Sequence, residues 1–178
     1  MSKDYRPSPL AQVSQVTEGD EAVLTFVRDL KHPPAKVWRA LADPNEQREW
    51  MPFVADRVLD TEGPARLEMT DTDDGLESDA EVVRSEPGRL LSYRWGDDLL
   101  TWELAAIDGG TRLTLRHRTR LPGEIASFAA GWHICLDVAE RFLDGRPIGR
   151  IVGMAAMDHG WPTLNAAYRT RLGLDPHG

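Results

Sequence analysis

The sequence predicts an α+β fold in which a curved antiparallel sheet lies against one long helix. Between Val54 and Thr119 apolar residues recur with period two, interrupted by closely spaced turn signals. From Ser127 to Leu143 the period becomes helical. Phe128, Trp132, Cys135, Leu136, Ala139, Phe142 and Leu143 share one face, and Ile134 and Val138 widen it. A sheet with one apolar face must cover it, and this helix is the only element of matching length.

The elements follow in order. Residues 1–10, with Pro7 and Pro9, are expected as a flexible N-terminal arm. Val13 to Thr17 suits a short strand, turning at Glu18-Gly19-Asp20 into a second strand over Ala22 to Leu30, where Leu24 and Phe26 alternate with polar neighbours. Pro33-Pro34 ends that strand and opens a short helix with Val37, Trp38 and Leu41 on its apolar side. Asp43 is the expected N-cap of a second short helix, with Glu46 placed for a capping box. Trp38 and Trp50 are expected to anchor this helical pair to the sheet rim.

In the meander, Leu67 and Met69 define one inward parity, and Leu91, Tyr93 and Trp95 the next. Leu100, Trp102 and Leu104 follow, then Leu113, Leu115 and His117. Arg94, Arg112, Arg116 and Arg118 fall on the opposite, solvated parity. Glu62-Gly63-Pro64, Asp73-Asp74-Gly75, Pro87-Gly88, Gly96-Asp97-Asp98 and Asp108-Gly109-Gly110 mark turns, so hairpins are the expected connections. Gly145 caps the long helix. His133, Asp137, Glu140 and Asp144 gather on its polar side, where His133 and Asp137 read as a surface pair. A last helix follows Gly160-Trp161-Pro162, with Trp161, Leu164, Tyr168 and Leu172 on one side. Residues 11–178 thus read as a single domain with a C-terminal extension over 146–178, and a homodimer through the last helix is a plausible partner arrangement.

Composition narrows the function. A chain of 178 residues can bury roughly 70% of its unfolded surface. A net charge of −8 argues against nucleic acid, whose phosphates demand a basic face, and against an anionic membrane surface. No apolar run approaches the ~20 residues that span a bilayer, so no membrane insertion is expected. The first residues do not read as a signal peptide. The single cysteine, Cys135, forms no intramolecular disulfide, and the expected location is cytoplasmic.

Several chemistries lack their residues. No Gly-x-Ser-x-Gly elbow occurs, and Gly145, Gly149 and Gly153 lack the Lys-Ser/Thr ending of a phosphate loop. Asp71 to Gly75 resembles a calcium loop only superficially, because Gly75 stands where a carboxylate is needed; it reads as a solvated hairpin turn. The five histidines have no metal spacing. No metal, cofactor or catalytic constellation is called for.

Three strings carry a family resemblance: HPPAKVWRALADPNEQREWM, YRWGDDLLTWELAAIDGGTRLTLRH and GWHICLDVAERFLDG. They are similar to the activator of heat-shock-protein-90 ATPase homologue (AHSA-like) group of the START-like, Bet v 1-like (SRPBCC) superfamily, over about Val23 to Gly145. GWPTLNAAYRTRLG resembles that group's usual ending. The resemblance implies a helix-grip fold: two short helices after the first long strand, a curved sheet around the long C-terminal helix, and an apolar cavity between them. Relatives include lipid carriers, polyketide cyclases and co-chaperone domains, so fold alone selects no chemistry.

If that cavity exists, its sheet wall is Leu67, Met69, Tyr93, Trp102, Leu115 and His117. Its helix wall is Phe128, Trp132, Cys135 and Leu136. Trp132 and Cys135 fit core packing equally well. The leading expectation is a binding protein for a small apolar molecule. The alternative is a pocket enzyme, cyclase- or hydrolase-like, with His117 as acid or base; a hydrogen-bonded core histidine is the plainer reading of that residue. Chaperone stimulation, implied only by the family name, ranks below both, since little chain precedes the domain.

Overall fold

The computed structural model describes residues 5–72 and 74–174. Strands β1 (Gln12–Glu18) and β2 (Glu21–Leu30) form a hairpin. Helices α1 (Pro34–Ala42) and α2 (Pro44–Gln47) follow. Strands β3 (Phe53–Ala55), β4 (Gly63–Met69), β5 (Glu77–Glu86), β6 (Leu90–Trp95), β7 (Asp98–Ile107) and β8 (Gly110–Thr119) come next. The long helix α3 (Ile125–Leu143) and the last helix α4 (Trp161–Arg171) complete the order.

All eight strands join one antiparallel sheet in the order β1-β2-β8-β7-β6-β5-β4-β3. The meander therefore closes on the first hairpin through β2 and β8. Its register keeps the inward parity intact: Phe26 pairs with Leu115, Leu115 with Trp102, and Trp102 with Leu91. Leu24 and Leu100 flank His117 on either side. A bulge between Val82 and Arg84 interrupts the β5–β6 ladder and sharpens the curl of the sheet. Between β7 and β8, Gly110 cannot carry a side chain, since a Cβ would lie 1.9 Å from the Leu30 carbonyl oxygen.

The short helices form as expected, with one difference. Asp43 Oδ1 accepts from Asn45 N at 2.9 Å and caps α2. Glu46 does not complete a capping box. The Asp43 amide is already spent on the Arg39 carbonyl, and Glu46 instead faces the Arg39 guanidinium at 3.7 Å. Trp50 packs edge-on to Trp102 at 6.0 Å and donates to the Ala40 carbonyl, which ties the helical pair to the sheet.

Helix α3 lies in the concavity. It ends in a Schellman motif: Arg146 N donates to Arg141 O and Gly145 N to Phe142 O, with Gly145 at φ +77°. Two residues of its predicted polar side, His133 and Asp137, are not at the surface. His133 is fully buried and Asp137 is 4% exposed, because α4 and the N-terminal arm lie across them. Tyr5 Oη donates to Asp137 Oδ2 at 2.6 Å, Ser8 Oγ donates to Oδ1 at 2.6 Å, and Arg28 of β2 reaches Oδ1 and Glu140. His133 Nδ1 meets Tyr168 Oη of α4 at 2.7 Å. Over residues 5–10 the arm is thus docked, not loosely held; residues 1–4 of the expected arm lie outside the described residues. The apolar side of α4, offered above for a homodimer, is used within the chain: Leu164 and Tyr168 are buried beneath α4. No helix among the described residues is long and apolar enough to cross a membrane.

The space between the sheet centre and α3 is filled by aromatic rings. Trp102 meets Trp132 edge-to-face at 5.3 Å, and Phe53 meets Tyr93 at 5.9 Å. Trp102 Nε1 donates to Tyr93 Oη and Trp132 Nε1 to His117 Nδ1, so both indole donors of this packed layer are satisfied.

Candidate functional site

With its middle packed, the open volume lies to one side of α3. A cavity of about 330 Å³ is walled by five residues on one stripe of that helix. Ser127, Gly131 and Cys135 recur at i, i+4 and i+8, with Phe128 and Trp132 beside them, so one strip of helix surface carries small side chains flanked by two rings. Gly131 makes room: a Cβ there would meet nothing within 4 Å. Trp95, at the end of β6, and Pro52 form the sheet side. The extension closes the far side with Ile151 to Met154, Ala156, Met157 and Trp161.

The lining is almost wholly apolar. Asp71, in the turn after β4, brings the single carboxylate. Its Oδ1 is enclosed without a hydrogen-bond partner, and burial raises its pKa, with the neighbouring Asp74 carboxylate adding to that effect. The Cys135 thiol is pushed up to about 12, first by burial and then by the charge of Asp71. It is a poor nucleophile there. The turn is held against the extension by a backbone approach that only Gly153 permits: at φ +59°, its Cβ would lie 2.2 Å from the Asp71 carbonyl oxygen.

His117 stands behind this wall. Its ring lies 4.3 Å from that of Phe128, its Nδ1 accepts from Trp132 Nε1 at 3.0 Å, and its Nε2 lies 2.6 Å from Asp98 Oδ2. An Nδ1 that accepts from an indole carries no proton, so the proton sits on Nε2 and is donated to Asp98. Neither ring nitrogen is left for a molecule in the cavity.

Of the ten residues singled out in the sequence, Phe128, Trp132 and Cys135 line the cavity. His117 touches the wall from behind, Met69 accepts from Trp95 Nε1 at 3.4 Å, and Trp102 backs Trp132 with Tyr93 bonded to it. Leu67, Leu115 and Leu136 are core residues away from the lining. Sequence reasoning missed Trp95, Gly131, Asp71 and the extension as lining groups. The small-residue spacing of Ser127, Gly131 and Cys135 was the signal available for the helix stripe. Asp71 was read as a solvated turn, and nothing local distinguishes it from one.

A second hollow, about 380 Å³, lies over the docked arm and is lined by Arg6, Arg28, Arg141 and Arg146 together with Asp137, Glu140 and Asp144. Its innermost charges neutralise one another. Arg28 bridges Asp137 and Glu140 at 2.6 and 2.7 Å. Among the described residues, no group of three or more His, Cys, Asp or Glu side chains is arranged to hold a metal ion.

A curled antiparallel sheet closed over one long helix, with an apolar cavity on the helix flank, defines the helix-grip class of small-molecule-binding folds. The chain belongs to the family described as polyketide cyclase / dehydrase and lipid transport, which matches residues 21–142. A conserved protein of unknown function from Enterococcus faecalis has a TM-score of 0.71 and 14% identity, covering 90% of each chain. CalU16 from Micromonospora echinospora has a TM-score of 0.66 and 20% identity, covering 90% of this chain and 95% of that one. An AHSA1-like protein from Aeromonas hydrophila has a TM-score of 0.57 and 21% identity, covering 69% and 92%. These likenesses are of fold alone. No curated protein matches the chain by sequence.

Proposed function

We propose that the chain binds a small, largely apolar molecule in the cavity between α3 and the C-terminal extension. The observation that carries this reading is the cavity of about 330 Å³ kept open by Gly131 and walled by Trp95, Phe128 and Trp132. Such a volume sits at the lower end of small-molecule sites, which are typically ~300–1,000 Å³ and mostly apolar. The family's description includes lipid transport, which fits carriage of an apolar molecule. The enzymatic alternative needs a free acid or base on the lining. His117 has both nitrogens committed and Cys135 is held as a thiol, which leaves Asp71 as a lone carboxyl with no free nucleophile beside it on the lining, so binding without chemistry is the better-supported reading.

The test is titration with a neutral apolar dye such as Nile red, followed by fluorescence, on the native chain and on Gly131→Leu and His133→Ala. A leucine at 131 projects into the cavity from a helical position with room for it. Saturable binding that Gly131→Leu weakens by tenfold or more and His133→Ala leaves in place supports the site. Dye binding indifferent to Gly131→Leu would overturn it.

A further inference from the structure

The cavity's single carboxylate has one oxygen without a partner. Asp71 lines the apolar cavity and also the more polar hollow next to it, about 540 Å³, bounded by Thr70, Thr72, Arg150, Val152, Met154 and Ala155. It therefore stands where the apolar lining gives way to a polar one. Its Oδ1 is enclosed and receives no hydrogen bond. The Asp74 carboxylate, farther along the same turn, is not in this position: its Oδ1 accepts from Thr72 Oγ1 and from Leu76 N. Among the described residues Asp71 takes part in no salt bridge. Arg150, the nearby cation of the outer hollow, spends a guanidinium nitrogen on the Arg48 carbonyl at 3.0 Å. The charged neighbour that acts on Asp71 is another carboxylate, Asp74.

An enclosed acceptor without a donor is costly, and the cost is removed when a ligand brings the donor. We propose that Asp71 receives the amine end of an amphipathic ligand whose apolar body occupies the cavity beside Trp132 and Gly131. A protonated amine supplies both a hydrogen bond to the unpartnered Oδ1 and a positive charge that no salt bridge among the described residues brings to this carboxyl, and charge-assisted hydrogen bonds are about twice as strong as neutral ones. A carboxylate-headed lipid would instead set two like charges together at the same mouth. The proposal rests on the cavity reading above and adds the chemical class of the ligand's head.

Octylamine, 1-octanol and octanoate share one chain and differ at the head. Their affinities are to be measured by displacement of Nile red from the native chain, from Asp71→Asn and from Gly131→Leu at constant pH near neutrality. The amine is expected to bind about tenfold more tightly than the alcohol, with octanoate weakest. Asp71→Asn should bring amine and alcohol to equal affinity while leaving the alcohol's own affinity nearly unchanged. An amine that binds no better than the alcohol in the native chain overturns the proposal, as does an amine preference that survives Asp71→Asn. The cavity reading fails separately: all three compounds would then fail to bind, or bind equally to Gly131→Leu, and this proposal would fall with it.

Discussion

The indole of Trp132 donates to Nδ1 of His117 at 3.0 Å, and this one bond joins the cavity wall to the sheet. It fixes the imidazole tautomer, turns Nε2–H toward Asp98, and holds the Trp132 ring against the cavity. The chain Asp98–His117–Trp132 is thus a support for the wall, placed behind Phe128, and not a set of free catalytic groups. Trp132→Phe keeps a ring in place but leaves the buried Nδ1 without its donor. The expected loss is about 1–3 kcal/mol of unfolding free energy, read from urea denaturation. A double-mutant cycle with His117→Phe should show coupling of at least ~0.5 kcal/mol; purely additive losses would mean that the bond does not connect the two residues energetically.

The arm is expected to behave as part of the core. Asp137 accepts from Tyr5, Ser8 and Arg28, so Asp137→Asn removes the charge of a buried ion pair and turns one of the two accepting oxygens into a donor facing donors. Removing one partner of such a pair costs about 3–5 kcal/mol. Tyr5→Phe removes a single bond to a charged group and should cost about 1.5–3 kcal/mol. Urea midpoints that fall while the slope stays constant would bear this out. Unchanged midpoints for both variants would show that the arm contributes nothing to stability.

The same carboxylate sets an acid limit. Burial alone would raise the Asp137 pKa, but the hydrogen bond with His133, the charge of Arg28 and the bonds from Ser8 and Tyr5 outweigh it and hold the carboxyl well below the usual carboxylate range. A depressed folded value means that the stabilisation is complete above the unfolded value of about 4 and drains away as pH falls below it. Stability of the native chain should therefore decline from about pH 4 downward. In Asp137→Asn that part of the acid limb should be flatter. Parallel acid limbs for the two proteins would assign the pH dependence to other carboxylates.

How much of this was legible follows from the range of each interaction. Strand parity is local, so the inward placement of Tyr93, Trp102, Leu115 and His117 could be read from alternation alone. The helix stripe from Phe128 to Leu143 could be read in the same way. Whether those rings leave a gap could not, because that depends on how Trp50, Trp102 and Trp132 interlock across three elements distant in sequence. His133 and Asp137 at i and i+4 read as a surface pair on any isolated helix. What buries them is Tyr5, Ser8 and Tyr168, and the Tyr5–Asp137 bond spans 132 residues of chain. Asp71 was misread for the same reason, since the extension that turns a hairpin residue into a cavity wall arrives about eighty residues later, from Ile151 onward.

Cys135 offers a chemical readout of the cavity. With its thiol pushed up to about 12, only about one molecule in ten thousand carries the thiolate at pH 8. Alkylation of the native chain by iodoacetamide should be slower than that of the urea-unfolded chain by about three orders of magnitude, given an ordinary thiol value near 8.5. Because Cys135 lines the cavity, a bound apolar compound should slow the native reaction further. Rapid stoichiometric labelling of the folded chain would show that burial does not control this thiol.

Two glycines on the cavity wall should respond oppositely to the same substitution. Gly131 lies within α3 at an ordinary helical position, where a Cβ meets nothing within 4 Å. Gly131→Ala should therefore gain about 1 kcal/mol from helix propensity while trimming the cavity slightly. Gly153 has φ +59°, and its Cβ would stand 2.2 Å from a backbone oxygen of Asp71 that cannot swing aside as a side chain would. Gly153→Ala should cost about 1–3 kcal/mol, because the extension must lift from the turn or the backbone must hold a left-handed alanine. Lifting the extension also opens the wall formed by Ile151, Val152 and Met154, so ligand affinity should fall together with stability in Gly153→Ala. In Gly131→Ala the two should separate, with stability rising and affinity falling modestly. Thermal melts and dye titrations on both variants give the four signs needed, and a Gly153→Ala chain as stable as the native one would remove the extension from any role in shaping the cavity.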